Sequence, residues 1–192
     1  MARPKEFDRE DALAAAIDLF AQRGFEGSSA ADLVEHMGIG RQSIYDTFGS
    51  KRDLYLEALR TYLARRLHDQ IEAMRSGPTA FDGLAKLLVS AADDAAASKS
   101  PACLGISAVC EFGRSDPEVT KISEANAFAL RRVLAEQVKS AQIAGDIASD
   151  LGVNDVAASI VATLTGIKVA ARAGAPRDTL RAIARLAVRG LR

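Results

Sequence analysis

An all-α fold is predicted by three features of the sequence: the placement of its prolines, the spacing of its apolar residues, and the lack of strand-like alternation. Of the five prolines, Pro78, Pro101, Pro117 and Pro176 each fall where one helical pattern stops and another begins, and Pro4 lies in the N-terminal arm. Proline suits a helix start and disrupts a helix interior, so these positions read as boundaries. Apolar residues recur every three or four positions, and no segment sustains a period-two run of β-branched residues.

The first helix is expected over 9–23. Asp8 suits its N-cap, Asp11 favours its positive end, and Gly24 suits its C-terminus. Leu13, Ala16, Ile17 and Phe20 form its buried stripe. A short helix follows over 30–37, with Ser29 and Asp32 at capping-box spacing and Gly38 ending it. A third spans 41–47, with Ile44 and Phe48 facing inward. Gly49-Ser50 then breaks the chain, and Ser50-x-x-Asp53 caps a long fourth helix to 75. Further helices are placed at 79–97, 102–113, 117–142, 154–173 and 177–191. Seven of the ten aromatic residues lie in the first third. This shift predicts a small aromatic-cored N-terminal domain, residues 1–50, and a larger helical C-terminal domain, residues 51–192, joined through the fourth helix.

Composition narrows the function. The 192 residues are 48% hydrophobic and 26% charged, the balance of a folded globular protein. No run approaches the ~18 apolar residues of a membrane span. Met1–Asp11 mixes both charges and lacks the apolar run of a signal peptide. A cytoplasmic protein without a membrane partner is the expectation. His36 and His68 have no sequence-local metal partners, and nothing resembles a nucleophile elbow, so no metal, cofactor or catalytic residue is assigned. Cys103 and Cys110 are too few for a disulfide framework. Their seven-residue spacing predicts one shared helix face, with two small buried residues as the plain reading and an oxidant-sensing thiolate as the sharper one.

Two short helices joined by a glycine turn, 30–47, form a helix-turn-helix pattern. Leu33, Met37, Ile39 and Ile44 lock the pair together. The second helix is left with a polar face of Arg41, Gln42, Ser43, Asp46 and Thr47, free to enter a major groove. Arg suits guanine and Gln suits adenine at base edges. Tyr45 can reach a phosphate or pack beside a base. Ser28, Ser29, the amides at helix starts and Lys51 are candidate phosphate clamps.

The stretch from Gly24 to Leu54 closely resembles the DNA-binding domain of the tetracycline-repressor (TetR/AcrR) family. The matching features are Gly24-Phe25, the hydroxyl residues before the second helix, Asp32-Leu33, Gly38-Ile39 and Ile44-Tyr45-x-x-Phe48-x-Ser50-Lys51-x-x-Leu54. The resemblance implies an all-helical homodimer on a near-palindromic operator, with a C-terminal domain that binds a small molecule and dimerises through its last helices. It puts Arg41, Gln42, Ser43 and Tyr45 on the recognition helix and matches Ser28 and Lys51 to phosphate contacts. Gly40 and Gln42 depart from the Ser and Gly usual in the family, which bears on specificity.

Residues 1–60 hold eight basic and eleven acidic side chains, a net charge of −3. A duplex is expected to meet Arg3, Lys5, Arg41, Lys51 and Arg52, with the acids turned away and a modest salt slope. A ligand-responsive repressor is the functional reading. Its effector, small and hydrophobic or aromatic, is expected among Tyr62, Leu88, Cys103, Phe112, Asn126 and Phe128. The last two helices are apolar on more than one face, and Ala157, Val161, Leu164, Lys168, Ile183 and Ala187 are assigned to a dimer interface. The alternative is a helical interaction protein that uses the same fold to bind a protein partner.

Overall fold

The computed structural model describes residues 7–98 and 102–192. Arg3, Pro4, Lys5, Lys99 and Pro101 therefore lie outside the described residues. Those residues form helices α1 (Arg9–Arg23), α2 (Ala30–Met37), α3 (Arg41–Phe48), α4 (Lys51–Arg75), α5 (Ala80–Ala97), α6 (Leu104–Phe112), α7 (Pro117–Ile143), α8 (Val153–Arg172) and α9 (Arg177–Arg189), with no strand among them.

Local chemistry sets the boundaries. Asp8 accepts the backbone N–H groups of Glu10 and Asp11 and starts α1. Ser29 and Asp32 form a reciprocal capping box on α2. The same arrangement starts α4, where Asp53 N donates to Ser50 Oγ at 3.1 Å and Ser50 N donates to Asp53 Oδ2 at 2.9 Å. Gly38, with φ of 67°, supplies the left-handed residue between α2 and α3.

The chain divides into two compact units. Among the described residues, one gathers 7–64 together with 102–124, and the other gathers 65–98 and 125–192. The core of the first combines Leu13, Phe20, Leu33, Ile44, Phe48, Tyr55 and Leu59 with Leu104, Ala108 and Val119 from the second stretch. Tyr55 lies at its centre, with ring centroids 5.1 Å from Phe20, 5.2 Å from Phe25 and 5.6 Å from Phe112. Such tilted aromatic contacts add to the area they bury. Burial raises the pKa of the Tyr55 hydroxyl, helped by the negative charges of Glu111 and Asp116.

The second unit is built on α5, α8 and α9. Phe81, Leu84, Leu87 and Leu88 pack with Val156, Ile160, Leu164, Ile167, Leu180 and Ala184. Helix α8 is long and apolar enough to cross a membrane by length and composition alone. Here its inner stripe belongs to this core. Asp93 of α5 accepts from Arg177 and Arg181 of α9, at 3.0 and 2.7 Å. These guanidiniums, Arg181 first, hold the Asp93 carboxyl down at about 2.

Candidate nucleic-acid interface

Helix α3 is fixed from below and open above. Ile44 and Phe48 are buried in the core of the first unit, while Arg41, Gln42 and Asp46 are exposed and Ser43, Tyr45 and Thr47 are half-buried. Apolar residues four apart tie one side of a two-turn helix down, which turns Gln42 and Asp46 to the outer side and leaves Tyr45 and Thr47 at its flanks. The Arg41 guanidinium lies 5.7 Å from the centre of the Tyr45 ring. Gln42 Nε2 donates to Asp46 Oδ1 at 2.7 Å.

The hydroxyls expected to clamp phosphates have separate duties. Ser29 is exposed and spends its hydroxyl in the capping box of α2, which holds the Asp32 carboxyl below its usual range with help from Arg23. Ser28 is fully buried, and its Oγ donates to Gly24 O at 2.7 Å. It closes the turn after α1 from within, which differs from the surface clamp expected of it. Lys51, at the start of α4, is half-buried with its Nζ 4.3 Å above the Phe25 ring.

Arg52 also departs from expectation. Instead of facing outward, it pairs with Asp116 Oδ2 at 2.7 Å and Glu118 Oε2 at 2.8 Å. The Arg52 guanidinium, aided by the backbone N–H groups of Val119 and Glu118, holds the Asp116 carboxyl down at about 2. Arg9 pairs with Glu57, and Arg23 with Asp32. Arg41 and Lys51 have no carboxylate partner among the described residues.

Two residues that sequence reasoning missed position the interface. Glu111 of α6 accepts Phe25 N–H at 2.8 Å and Glu26 N–H at 2.6 Å, one on each carboxylate oxygen, in the turn between α1 and α2. Asp116 anchors Arg52 at the start of α4. The contacts bridge 86 and 64 positions respectively, and no local pattern announces them. Ser107 Oγ adds a bond to Ala21 O at 3.1 Å.

The six residues assigned to an effector site fall in both units. Tyr62, Cys103 and Phe112 belong to the first, with Phe112 in the aromatic cluster; Leu88, Asn126 and Phe128 belong to the second. Leu88 is fully buried in its core, and Phe128 is 64% exposed. Cys103 is the buried N-cap of α6, whereas Cys110 is exposed on that helix, so the two thiols do not share a buried face. Within the set assigned to a dimer interface, Ala157 and Leu164 are buried inside their own unit, because they stand on the inner stripe of α8. Val161, Lys168, Ile183 and Ala187 are half-buried.

A short helix held by a glycine turn, with side chains chemically able to read bases exposed along it, has the form of a helix-turn-helix DNA-binding module. A family model described as bacterial regulatory proteins of the tetR family matches residues 12–58. The cysteine-mutant TetR family transcriptional regulator CifR, solved with 26-bp operator DNA, is 31% identical, with a TM-score of 0.86 and all of both chains covered. The Escherichia coli repressor ComR is 27% identical over 95% of this chain and 88% of its own. The Bacillus subtilis regulator YezE is 39% identical over 65% of this chain, and the match spans 64% of that protein's length. The chain belongs to the TetR family of transcriptional regulators.

Proposed function

We propose that the chain is a cytoplasmic, homodimeric repressor that binds a near-palindromic operator and releases it on binding a small effector. Its carrying observation is the outer side of α3, where Arg41 and Gln42 stand exposed, and neither Arg41 nor Lys51 has a carboxylate partner among the described residues. CifR, similar over its whole length, was solved on operator DNA. In this reading residues 1–50 read DNA, and residues 51–192 bind effector and dimerise. Arg41, Gln42, Ser43, Tyr45 and Thr47 face the groove, while Ser29 and Lys51 lie toward the backbone.

Val169 and Leu186, on the last two helices, are 50% and 66% exposed, which supports a dimer face there. Large apolar side chains in water favour a second copy as cover. The apolar cores favour a small hydrophobic or aromatic effector, which acts only through its difference in affinity for DNA-bound and free states.

Selection of duplexes from a random pool by the purified protein tests this reading. A near-palindrome should be enriched, and Arg41→Ala should abolish enrichment while the protein still sediments as a dimer. No enriched site, or a monomer at micromolar concentration, would overturn it.

A further inference from the structure

Helix α3 carries two parallel pairs at i,i+4 spacing, Arg41 with Tyr45 and Gln42 with Asp46. Each joins a side chain able to read a base to one that restrains it. The second pair has a chemical consequence. Carboxylate oxygens accept hydrogen bonds and donate none, so the group Gln42 turns toward Asp46 must be its NH2. That leaves Oε1 on the far side and the second N–H of Nε2 uncommitted.

From this we infer that Asp46 is a specificity-determining residue: it sets the orientation of the Gln42 amide and makes Gln42 select adenine over guanine. The inference rests on the reading of α3 as the recognition helix. In the major groove adenine offers an acceptor, N7, beside a donor, the N6 amino group. The free N–H and Oε1 of Gln42 complement that pair. Guanine offers two acceptors, N7 and O6, so the outward Oε1 would face O6 with no proton between them. Turning the NH2 outward, so that its two N–H groups meet N7 and O6, would relieve that clash, but it would withdraw the N–H from Asp46 Oδ1 and leave Oε1 on that side, where the donor nitrogen now stands 2.7 Å away. Guanine is rejected because Asp46 opposes the flip. Asp46 touches no base in this scheme and acts as a positioning residue.

The near-isosteric variant Asp46→Asn separates orientation from bulk and from fold, because position 46 is exposed and an asparagine amide can present either its oxygen or its NH2. Removing a negative charge near DNA also strengthens binding to every sequence, so the readout is a base ratio at one operator position and not affinity. Duplex selection followed by competition between adenine and guanine at the enriched position should give wild type about a tenfold preference for adenine. Asp46→Asn should bring that ratio close to one and leave the other operator positions unchanged. Gln42→Ala should abolish the preference, and Asp46→Asn added to Gln42→Ala should change nothing further at that position.

An adenine preference unaltered in Asp46→Asn, or retained in Gln42→Ala, overturns the inference while leaving the operator reading intact. So does a cytosine preference lost in Asp46→Asn and kept in Gln42→Ala, which would make Asp46 a base reader in its own right. Failure of wild type to enrich any duplex overturns the operator reading and this inference together.

Discussion

Gly24 and Glu111 occupy one small volume: a Cβ placed on Gly24 would lie 2.7 Å from Glu111 Oε2. The missing side chain lets the carboxylate reach the two amides that follow, Phe25 N–H and Glu26 N–H. Charge-assisted bonds of this kind exceed neutral ones in strength, so Glu111 of α6 adds a hold on the turn between α1 and α2 beyond that of its own ends.

Gly24→Ala and Gly38→Ala measure different things. Gly38 has φ of 67° and open space where a Cβ would stand, so its replacement carries only the backbone cost of about 1–2 kcal/mol. Gly24 combines φ of 75° with ψ of −176°, a region essentially reserved for glycine, and adds the clash with Glu111. Denaturant unfolding should show Gly24→Ala losing more stability than Gly38→Ala, by about 1–3 kcal/mol in total. Equal losses would mean that neither the backbone region of Gly24 nor the approach of Glu111 adds a cost.

Acid should loosen the Arg52–Asp116 anchor in a defined window. The Asp116 carboxyl is held at about 2, below the ordinary carboxylate value, so its contribution to stability is complete above about pH 4 and is lost as pH falls through about 2. The stability difference between wild type and Asp116→Asn should therefore be constant near neutrality and close between about pH 4 and pH 2. Because Asp93 titrates in the same range, the difference between the two proteins, followed by denaturant titration at each pH, is the quantity to plot.

Tyr55→Phe is expected to stabilise the protein. The Tyr55 ring is fully buried, yet its hydroxyl has no hydrogen-bond partner among the described residues. A buried unpaired hydroxyl costs about 1–3 kcal/mol, and phenylalanine keeps the ring contacts without it. Thermal unfolding should show a raised Tm; a lowered one would mean that the hydroxyl has a partner in solution.

Lys51 and Ser28 should separate cleanly in a salt titration of operator binding. Loss of one phosphate contact lowers the slope of log affinity against log salt by about 0.9. Lys51→Ala should do this and weaken binding evenly across sequences. Ser28→Ala should lower the unfolding free energy by about 1 kcal/mol and leave the slope unchanged, because its hydroxyl is committed to Gly24 O. A loss of operator affinity in Ser28→Ala, measured where the protein is fully folded, would place that hydroxyl at the DNA.

The first four helices were legible in the sequence because their ends are written in local chemistry: Asp8, Ser29 with Asp32, Gly38, and Ser50 with Asp53 all act within three residues of the boundary they set. The exposed side of α3 was legible for the same reason, since Ile44 and Phe48 alone show which side is buried. Ser28 and Arg52 were misread because their partners fall outside any periodic pattern. A serine in a polar turn looks exposed until a backbone carbonyl accepts its hydrogen bond, and an arginine beside a lysine looks free until Asp116 arrives from 64 positions away. Leu164 was misplaced by half a helical turn's ambiguity on a helix with apolar residues on more than one side, where only packing against α5 and α9 decides which stripe is inner.

The discontinuity of the first unit bears on how members of such a family can be recombined. Its core is completed by Leu104, Ala108 and Val119, and its α1–α2 turn by Glu111, all supplied after the chain has left for the other unit and returned. A chimera cut once behind α4 would pair one parent's DNA reader with the other parent's 102–124 segment, mismatching both a core and a carboxylate clamp. Three crossovers, carrying 102–124 along with residues up to 64, keep the first unit whole and make specificity a portable part.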